Sequence, residues 1–151
     1  MEIQYLTYLR DSPIGNWPIK PISLSEIEQL ETLYNNGDSF PKALKELLFL
    51  AGKYCYVLDY GVFDDLQEMQ DFVRSEMAEE NKTITRPFFA IDVYNLGDQF
   101  IFVYLDEGDD PPTYELHYYS DDNDWIWEVT PTLSELINQG IDKVKQSINP
   151  F

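Results

Sequence analysis

Four short segments rich in aromatic and β-branched residues dominate the second half of the chain and restrict its fold more than any other feature. Clusters of turn-forming residues separate them near positions 96, 108 and 122. Asp92 and Glu115 interrupt the apolar runs, which favours a sheet with one wetted face. Segments of this length and spacing predict consecutive antiparallel strands. The predicted strands span 88–94, 100–105, 113–119 and 125–129.

Helical periodicity marks the rest of the chain. Ser23 and Glu26 form a capping-box pattern before a helix that ends at 35–37. A second helix is predicted from Pro41 to Gly52, with proline at an early helical position. A third begins at a capping Asp64 and ends near 79–81, and the last is capped by Thr132. The residues predicted to form the buried stripes of these helices are Leu24, Ile27, Leu30, Leu33; Leu44, Leu47, Leu48, Ala51; Leu66, Met69, Phe72, Val73, Met77; Leu133, Leu136, Ile137, Ile141, Val144 and Ile148.

These patterns predict an α+β domain with an antiparallel or mixed sheet of about 4–6 strands and helices packed on one side. One domain spans 1–151, and its proline-containing segment 1–21 is expected to form an extended N-terminal arm. A short strand is expected at 3–9, and a buried strand at 54–58.

Length and cysteine content agree with a single domain of this kind. The chain has 151 residues, 44% of them hydrophobic, which is enough for a core without disulfides or metals. Cys55 is the single cysteine, so a reducing compartment is expected. The first residues lack the basic and apolar regions of a signal peptide, and no apolar run approaches membrane-spanning length. These features predict a cytoplasmic protein.

The charge is strongly negative and uneven. Its net value is −18, which argues against nucleic acid and anionic membranes as partners. Between Arg86 and Lys143 there are 13 acidic residues and no lysine or arginine. A solvated surface explains this bias about as well as a basic protein partner does.

The sequence contains few candidates for a catalytic or metal site. Cys55 and His117 form the single thiol–imidazole pair, and each lies in an apolar or aromatic strand pattern typical of core residues. One His and one Cys cannot make a structural zinc site, and an EF-hand register from Asp121 places Ile126 and Thr132 where glycine and glutamate are required. Paired carboxylates of a glycosidase cannot be singled out among so many acids. No catalytic activity, cofactor or metal is predicted.

Aromatic residues beside acids point to a binding surface. Trp125 and Trp127 share one strand face and are expected in the core, whereas either Tyr118 or Tyr119 should be exposed. The expected partner surface combines Trp125 with acids in two turns. Consecutive turns of a meander lie at opposite ends of the sheet, so one cluster should dominate, and prolines 111 and 112 favour the first. The predicted acids are Asp106, Glu107, Asp109, Asp110, Asp121, Asp122 and Asp124.

The order of these motifs resembles the SUKH superfamily, which includes yeast regulators of cell-wall glucan synthesis and many bacterial immunity proteins. The resemblance covers 22–148 and rests on ISLSEIEQLETLYNN, FPKALKELLFLAGK, FFAIDVYNLGDQFIFVYL, PPTYELHYY and TLSELI, with Ala51-Gly52 where the family often has Asn-Gly. It implies a mixed sheet backed by helices, no enzymatic activity and a role in protein–protein binding. In bacteria it implies neutralising a toxin, often a nuclease or deaminase.

Three functions therefore remain: an immunity protein that binds a basic toxin domain, a regulatory scaffold of the glucan-synthesis type, and a small carboxylate-dependent hydrolase. The acidic charge fits the first, because an acidic inhibitor is attracted to the basic site of a nuclease.

Overall fold

A computed structural model of the chain describes residues 1–14, 18–94, 97–120 and 123–151. Within these residues it is a single α+β domain with five helices and one four-stranded antiparallel sheet. The helices and strands, in chain order, are α1 (Thr7–Asp11), α2 (Leu24–Tyr34), α3 (Lys42–Ala51), α4 (Leu66–Glu79), β1 (Phe88–Tyr94), β2 (Gln99–Tyr104), β3 (Thr113–His117), β4 (Ile126–Thr130) and α5 (Leu133–Lys145).

The sheet confirms the predicted meander. Its strands lie in the order β1-β2-β3-β4, each antiparallel to the next, and each predicted segment matches a strand to within two residues. A register shift occurs in β1 between Ala90 and Asp92. Gly108 supplies a positive φ of 88° in the β2–β3 turn, whereas predicted turn residues 95–96 and 121–122 lie outside the described part of the chain.

The capping box of α2 forms as predicted, but of the predicted stripe only Ile27 and Leu30 are buried. The Ser23 side chain accepts a hydrogen bond from the Glu26 amide, and the Glu26 carboxylate accepts one from the Ser23 amide. Leu24 and Leu33 are 48% and 53% exposed, however, and Glu31 is buried in their place. Glu31 accepts a hydrogen bond from the Phe40 amide and pairs with Lys45. A paired acid therefore occupies part of the buried face of α2.

The other helices follow the prediction closely. The stripe Leu44, Leu47, Leu48 and Ala51 of α3 is buried, although Pro41 is the N-cap rather than the first helical residue. Asp65, not Asp64, caps α4 by accepting a hydrogen bond from the Glu68 amide. Thr132 caps α5 as expected, while Ile148 lies beyond its end and is exposed.

Residues 55–58 are buried as predicted, but Tyr54 is 39% exposed and the segment does not form a strand. Tyr54 makes one isolated bridge with Lys20, and Cys55 to Leu58 fold as a turn. The segment ends against β1, where the Asp59 carbonyl accepts a hydrogen bond from the Val93 amide. The Asp59 amide donates to the Asp92 carboxylate at 3.1 Å. Single contacts of this kind tie the segment to the sheet without extending it.

The N-terminal segment contains a helix where a strand was expected. Leu6 and Leu9 are fully buried, and the buried carboxylate of Glu46 accepts hydrogen bonds from the amides of Gln4, Tyr5 and Leu6 at 2.8–2.9 Å. These amides precede α1 and have no carbonyl partner within such a short helix. A side chain from α3 therefore supplies the acceptors, which no feature of residues 1–21 reveals.

Within the described residues, no helix is both long enough and apolar enough to cross a bilayer.

Candidate functional site

The two outermost strands of the sheet, β1 and β4, differ in whether the main-chain groups on their outer edges are hydrogen-bonded. Along β1, the side chain of Gln70 on α4 donates to the Ala90 carbonyl and accepts from the Ala90 amide, both at 2.8 Å. Arg74, one turn later, donates to the Phe88 carbonyl at 2.9 Å. With the Asp59–Val93 bond, these contacts satisfy four outward main-chain groups of β1: the Phe88 carbonyl, both groups of Ala90 and the Val93 amide. Helix α4 thus runs beside the edge of β1 and closes it.

Strand β4 forms the opposite edge and is open. Trp127 and Val129 are 41% and 39% exposed, and Glu128 between them is exposed too. The His117 amide donates to the Trp125 carbonyl, so Trp125 and Trp127 direct their main-chain groups toward β3. Because hydrogen-bonding direction alternates along a strand, the main-chain amides and carbonyls of Ile126 and Glu128 point away from β3. No described residue covers them with a hydrogen bond.

On the sheet face that carries the Trp127 side chain, the carboxylate of Glu115 on β3 contacts a cluster of polar and aromatic side chains. It accepts hydrogen bonds from the Tyr94 hydroxyl and from Trp127 Nε1, the latter at 3.2 Å. His117 Nε2 lies 3.1 Å from the same carboxylate, and the His117 ring packs on the Trp127 ring at a centroid distance of 4.6 Å. Gln99 contacts both Glu115 and His117. Burial and the bond to Glu115 raise the pKa of Tyr94, so its hydroxyl stays a donor.

This cluster positions Trp127 at the edge. Directly opposed residues of antiparallel strands share a sheet face, so the pairing of Glu115 with Trp127 places both side chains on one side. The indole nitrogen is held by the carboxylate, while much of the ring remains open to solvent. An amphipathic ring held in this way is typical of a binding surface.

The exposure of Trp127 contradicts its predicted place in the core. Trp125 is half-buried, with the Lys82 ammonium 5.7 Å from its ring centre. Tyr118 is buried and Tyr119 exposed, as the alternation predicted. Trp127 lies outside the core because its side chain shares the polar face of the sheet with Glu115 and His117.

Cys55 and His117, which the strand patterns assigned to the core rather than to a catalytic dyad, lie in separate environments. Cys55 is buried near Asp92, and burial raises its pKa to about 12, which keeps the thiol protonated. His117 instead contacts Glu115, Gln99 and Trp127. The chemistry available around His117 is hydrogen bonding and aromatic packing.

Among the carboxyl groups of the sheet, Asp92 has the largest shift in pKa. It is buried at the bulge of β1, and burial raises its pKa to about 7, although the hydrogen bond from the Asp59 amide acts in the opposite direction. Its neighbours are other acids, Asp59 and Glu115, which also oppose ionisation.

The predicted acids of the β2–β3 turn have partners inside the molecule. Asp106 and Glu107 both pair with Arg86, at 2.6 and 3.2 Å, and the side-chain bond from Arg86 holds the pKa of Asp106 below its usual range. Asp110 accepts hydrogen bonds from the amide and hydroxyl of Ser134 in the first turn of α5. The Asp109 carbonyl accepts from the Ala43 amide. These contacts tie the turn to the body of the domain.

Of the second predicted cluster, Asp124 lies just before β4. Asp124 is exposed and precedes the half-buried Trp125, whereas Asp121 and Asp122 lie outside the described residues. The two turns follow consecutive strands and lie at opposite ends of the sheet, as predicted. Of the two, the turn that leads into β4 adjoins the open edge.

Sequence reasoning did not select Ile126, Glu128 or Val129 for the binding surface. The available signal was that no strand pattern follows 125–129, which leaves that segment at a sheet edge. Residues of the predicted site that lie on or beside β4 are Asp124 and Trp125.

No group of three or more His, Cys, Asp or Glu side chains suited to hold a metal ion occurs among the residues that the structure describes. In comparisons with known proteins, no family model and no curated protein matches this chain.

Proposed function

We propose that this chain is a non-catalytic binding module for a basic protein and that β4 contributes to the binding surface. The observation that carries the proposal is the open edge of β4, where Trp127 and Val129 are exposed on either side of Glu128. This edge lies in the stretch of 13 acids without a lysine or arginine. Exposed aromatic and apolar residues supply contact area, and the surrounding charge attracts a basic partner.

The biological role that fits best is that of an immunity protein, as the resemblance to the SUKH superfamily implies. An acidic surface accelerates association with a basic toxin domain such as a nuclease. The role includes a cytoplasmic location, where a toxin of that kind would act. A regulatory scaffold of the glucan-synthesis type is the alternative, and it uses the same surface for a different partner.

The absence of catalysis is part of the proposal. Glu115 is held by donors from Tyr94 and Trp127, which suits a carboxylate that positions side chains. The Cys55 thiol is buried and protonated. Hydrolysis of any member of a glycoside panel by the wild-type chain, abolished by Glu115→Gln, would establish the competing hydrolase function.

The test uses the toxin-like product of the gene neighbouring that of this chain. Co-expression should restore growth of cells that produce that protein, and stopped-flow mixing should show association that slows steeply with added salt. Glu128→Lys should reduce the association rate constant by about tenfold, because it reverses a charge on the binding surface.

Glu28→Lys is the matched control, since it makes the same change of charge on the exposed surface of α2. It should slow association much less than Glu128→Lys. Equal slowing by the two variants would show that net charge alone attracts the partner and would remove β4 from the binding surface. Unchanged growth with no detectable complex would exclude the immunity role.

A further inference from the structure

We infer that the open edge of β4 binds an extended, lysine- or arginine-bearing segment of the partner by strand addition, which makes that segment a fifth strand of the sheet. This inference rests on the proposed function and specifies how the basic partner is held. Main-chain hydrogen bonds would supply affinity, and alternate side chains would supply specificity.

The first argument is the geometry of the edge. The outward amides and carbonyls of Ile126 and Glu128 form two consecutive bonding positions for an incoming strand. At the other edge, Gln70, Arg74 and Asp59 occupy the equivalent positions of β1. Exposed strand edges are usually protected by charged side chains, above all lysine, by proline, by a β-bulge or by a covering element. In β4 the charged residue is Glu128, with which a basic segment can pair, and the register irregularity lies at Val129, beyond the two bonding positions. The described part of β4 contains no lysine or proline and has no covering element.

The second argument is the chemistry of the side chains at the edge. Glu128 and Asp124 are exposed, and neither takes part in an ion pair among the described residues. Trp127, held by Glu115, and Val129 add apolar surface beside them. A segment that alternates basic and apolar residues presents cations on one face of the new strand and apolar groups on the other.

Charge also decides against a second copy of this chain as the occupant. Symmetric antiparallel pairing of two β4 strands about Glu128 would place the two Glu128 side chains opposite each other. Each copy also carries a net charge of −18, so the two chains repel. A basic segment meets the same hydrogen-bonding groups and gains attraction in place of repulsion.

The test uses blocked heptapeptides that alternate lysine and valine. The unmodified peptide should bind and shift the NMR signals of the Ile126 and Glu128 amides, which should then exchange with solvent at least tenfold more slowly. Two further peptides carry N-methyl groups on either the odd or the even residues. An added strand uses only one of its edges, so one pattern should weaken binding at least tenfold and the other should leave it nearly unchanged. Equal binding of both methylated peptides, or signal shifts confined to other residues, would overturn strand addition.

Variants of one residue provide an independent test. Glu128→Thr and Glu128→Pro both remove the carboxylate, but only the proline removes the outward amide. The proline variant should bind the peptide at least tenfold more weakly than the threonine variant. Equal binding by the two folded variants would overturn the inference. If the proline variant does not fold, the methylated peptides still decide the question.

These outcomes separate the inference from the proposed function. Equal binding of the unmodified and both methylated peptides leaves attraction of a basic partner intact and removes strand addition alone. A peptide with glutamate in place of lysine that binds as well as the lysine peptide would contradict the charge argument of the proposed function itself. A dimer of this chain in sedimentation experiments, dissociated by Glu128→Pro, would identify a second copy as the occupant and overturn the basic segment.

Discussion

The two outer edges of this sheet present the same outward amides and carbonyls, but these groups have hydrogen-bond partners along β1 and none among the described residues along β4. At β1, Gln70 offers a donor and an acceptor to Ala90, as a neighbouring strand would, and Arg74 bonds to the next outward carbonyl. At β4, the exposed residues Trp127 to Val129 flank outward groups that no described residue covers. The difference shows that side chains of a helix can close a strand edge, and that β4 lacks such a cover. An uncovered edge is free to pair with another chain.

The largest expected effect concerns pH and the β1 edge, where Asp92 accepts a hydrogen bond from Asp59. Burial raises its pKa from 3.8 to about 7 in the folded chain, so the folded state holds a proton that the unfolded state releases. The contribution of Asp92 to stability therefore falls as pH rises from about 4 to 7, by on the order of 1 kcal/mol per pH unit, and is constant above.

Asp92→Asn isolates this effect, because asparagine keeps the acceptor oxygen and cannot ionise. The difference in unfolding free energy between variant and wild type should grow in favour of the variant across that range. Urea titrations at several pH values measure it. A difference that stays constant from pH 4 to 8 would show that Asp92 ionises at its ordinary pKa.

Removing the Gln70 hydrogen bonds that cover the edge of β1 should lower the unfolding free energy by nearly as much. Gln70→Leu keeps the size of the side chain but leaves the buried amide and carbonyl of Ala90 without partners, so we expect a loss of about 2–4 kcal/mol in unfolding free energy. Gln67→Leu, on the exposed side of the same helix, should change stability by less than about 0.5 kcal/mol. Equal losses in urea denaturation would mean that the edge contacts of Gln70 contribute nothing.

A smaller loss is expected at Arg74. Its guanidinium bonds to the Phe88 carbonyl and lies 4.1 Å from the Phe88 ring centre and 4.5 Å from that of Tyr34. Arg74→Met retains the aliphatic packing and removes the bond and the cation–π contacts, which should lower the unfolding free energy by about 1–2 kcal/mol. Arg74→Lys should lose less unfolding free energy than Arg74→Met, because lysine keeps the positive charge. Thermal melts of the two variants provide the comparison, and identical melting temperatures would contradict it.

The smallest effect on stability is expected at β4. Val129→Thr keeps the β-branched shape on an exposed edge and should change the unfolding free energy by less than about 0.5 kcal/mol, yet it should weaken binding of the partner through lost apolar contact. Denaturation and binding measured on the same preparation test both statements. A large loss of stability would show that β4 is held as firmly as β1.

Much of the fold could be predicted because its signals are local. The Ser23–Glu26 capping box, the Asn36–Gly37 helix end and the four strand segments involve residues close in sequence. The N-terminal helix could not be predicted in this way, since its amides bond to Glu46, some 40 residues away. Leu24 and Leu33 share a helical period with buried residues, but periodicity does not show that a paired Glu31 takes part of the buried face.

The candidate site was predictable only in part for the same reason. Sequence reasoning selected the acids of 106–110 for their density, but it could not show that Arg86 and Ser134 bind three of them. It placed Trp127 in the core, because alternation shows which residues share a face and not whether that face is covered.

The sequence by itself determined the α+β class, the order of elements from α2 to α5, and the acidity of the stretch that carries the sheet, because short-range periodicity and composition specify these properties. The tertiary structure alone decided which carboxylates are paired, which apolar residues remain exposed and which edge of the sheet is closed. These properties depend on contacts between residues far apart in the chain, such as Gln70 with Ala90 and Glu46 with Leu6. Burial of an edge is set by its neighbours in space, and β4 is open because, among the described residues, β3 alone pairs with it and its outward main-chain groups have no hydrogen-bond partner.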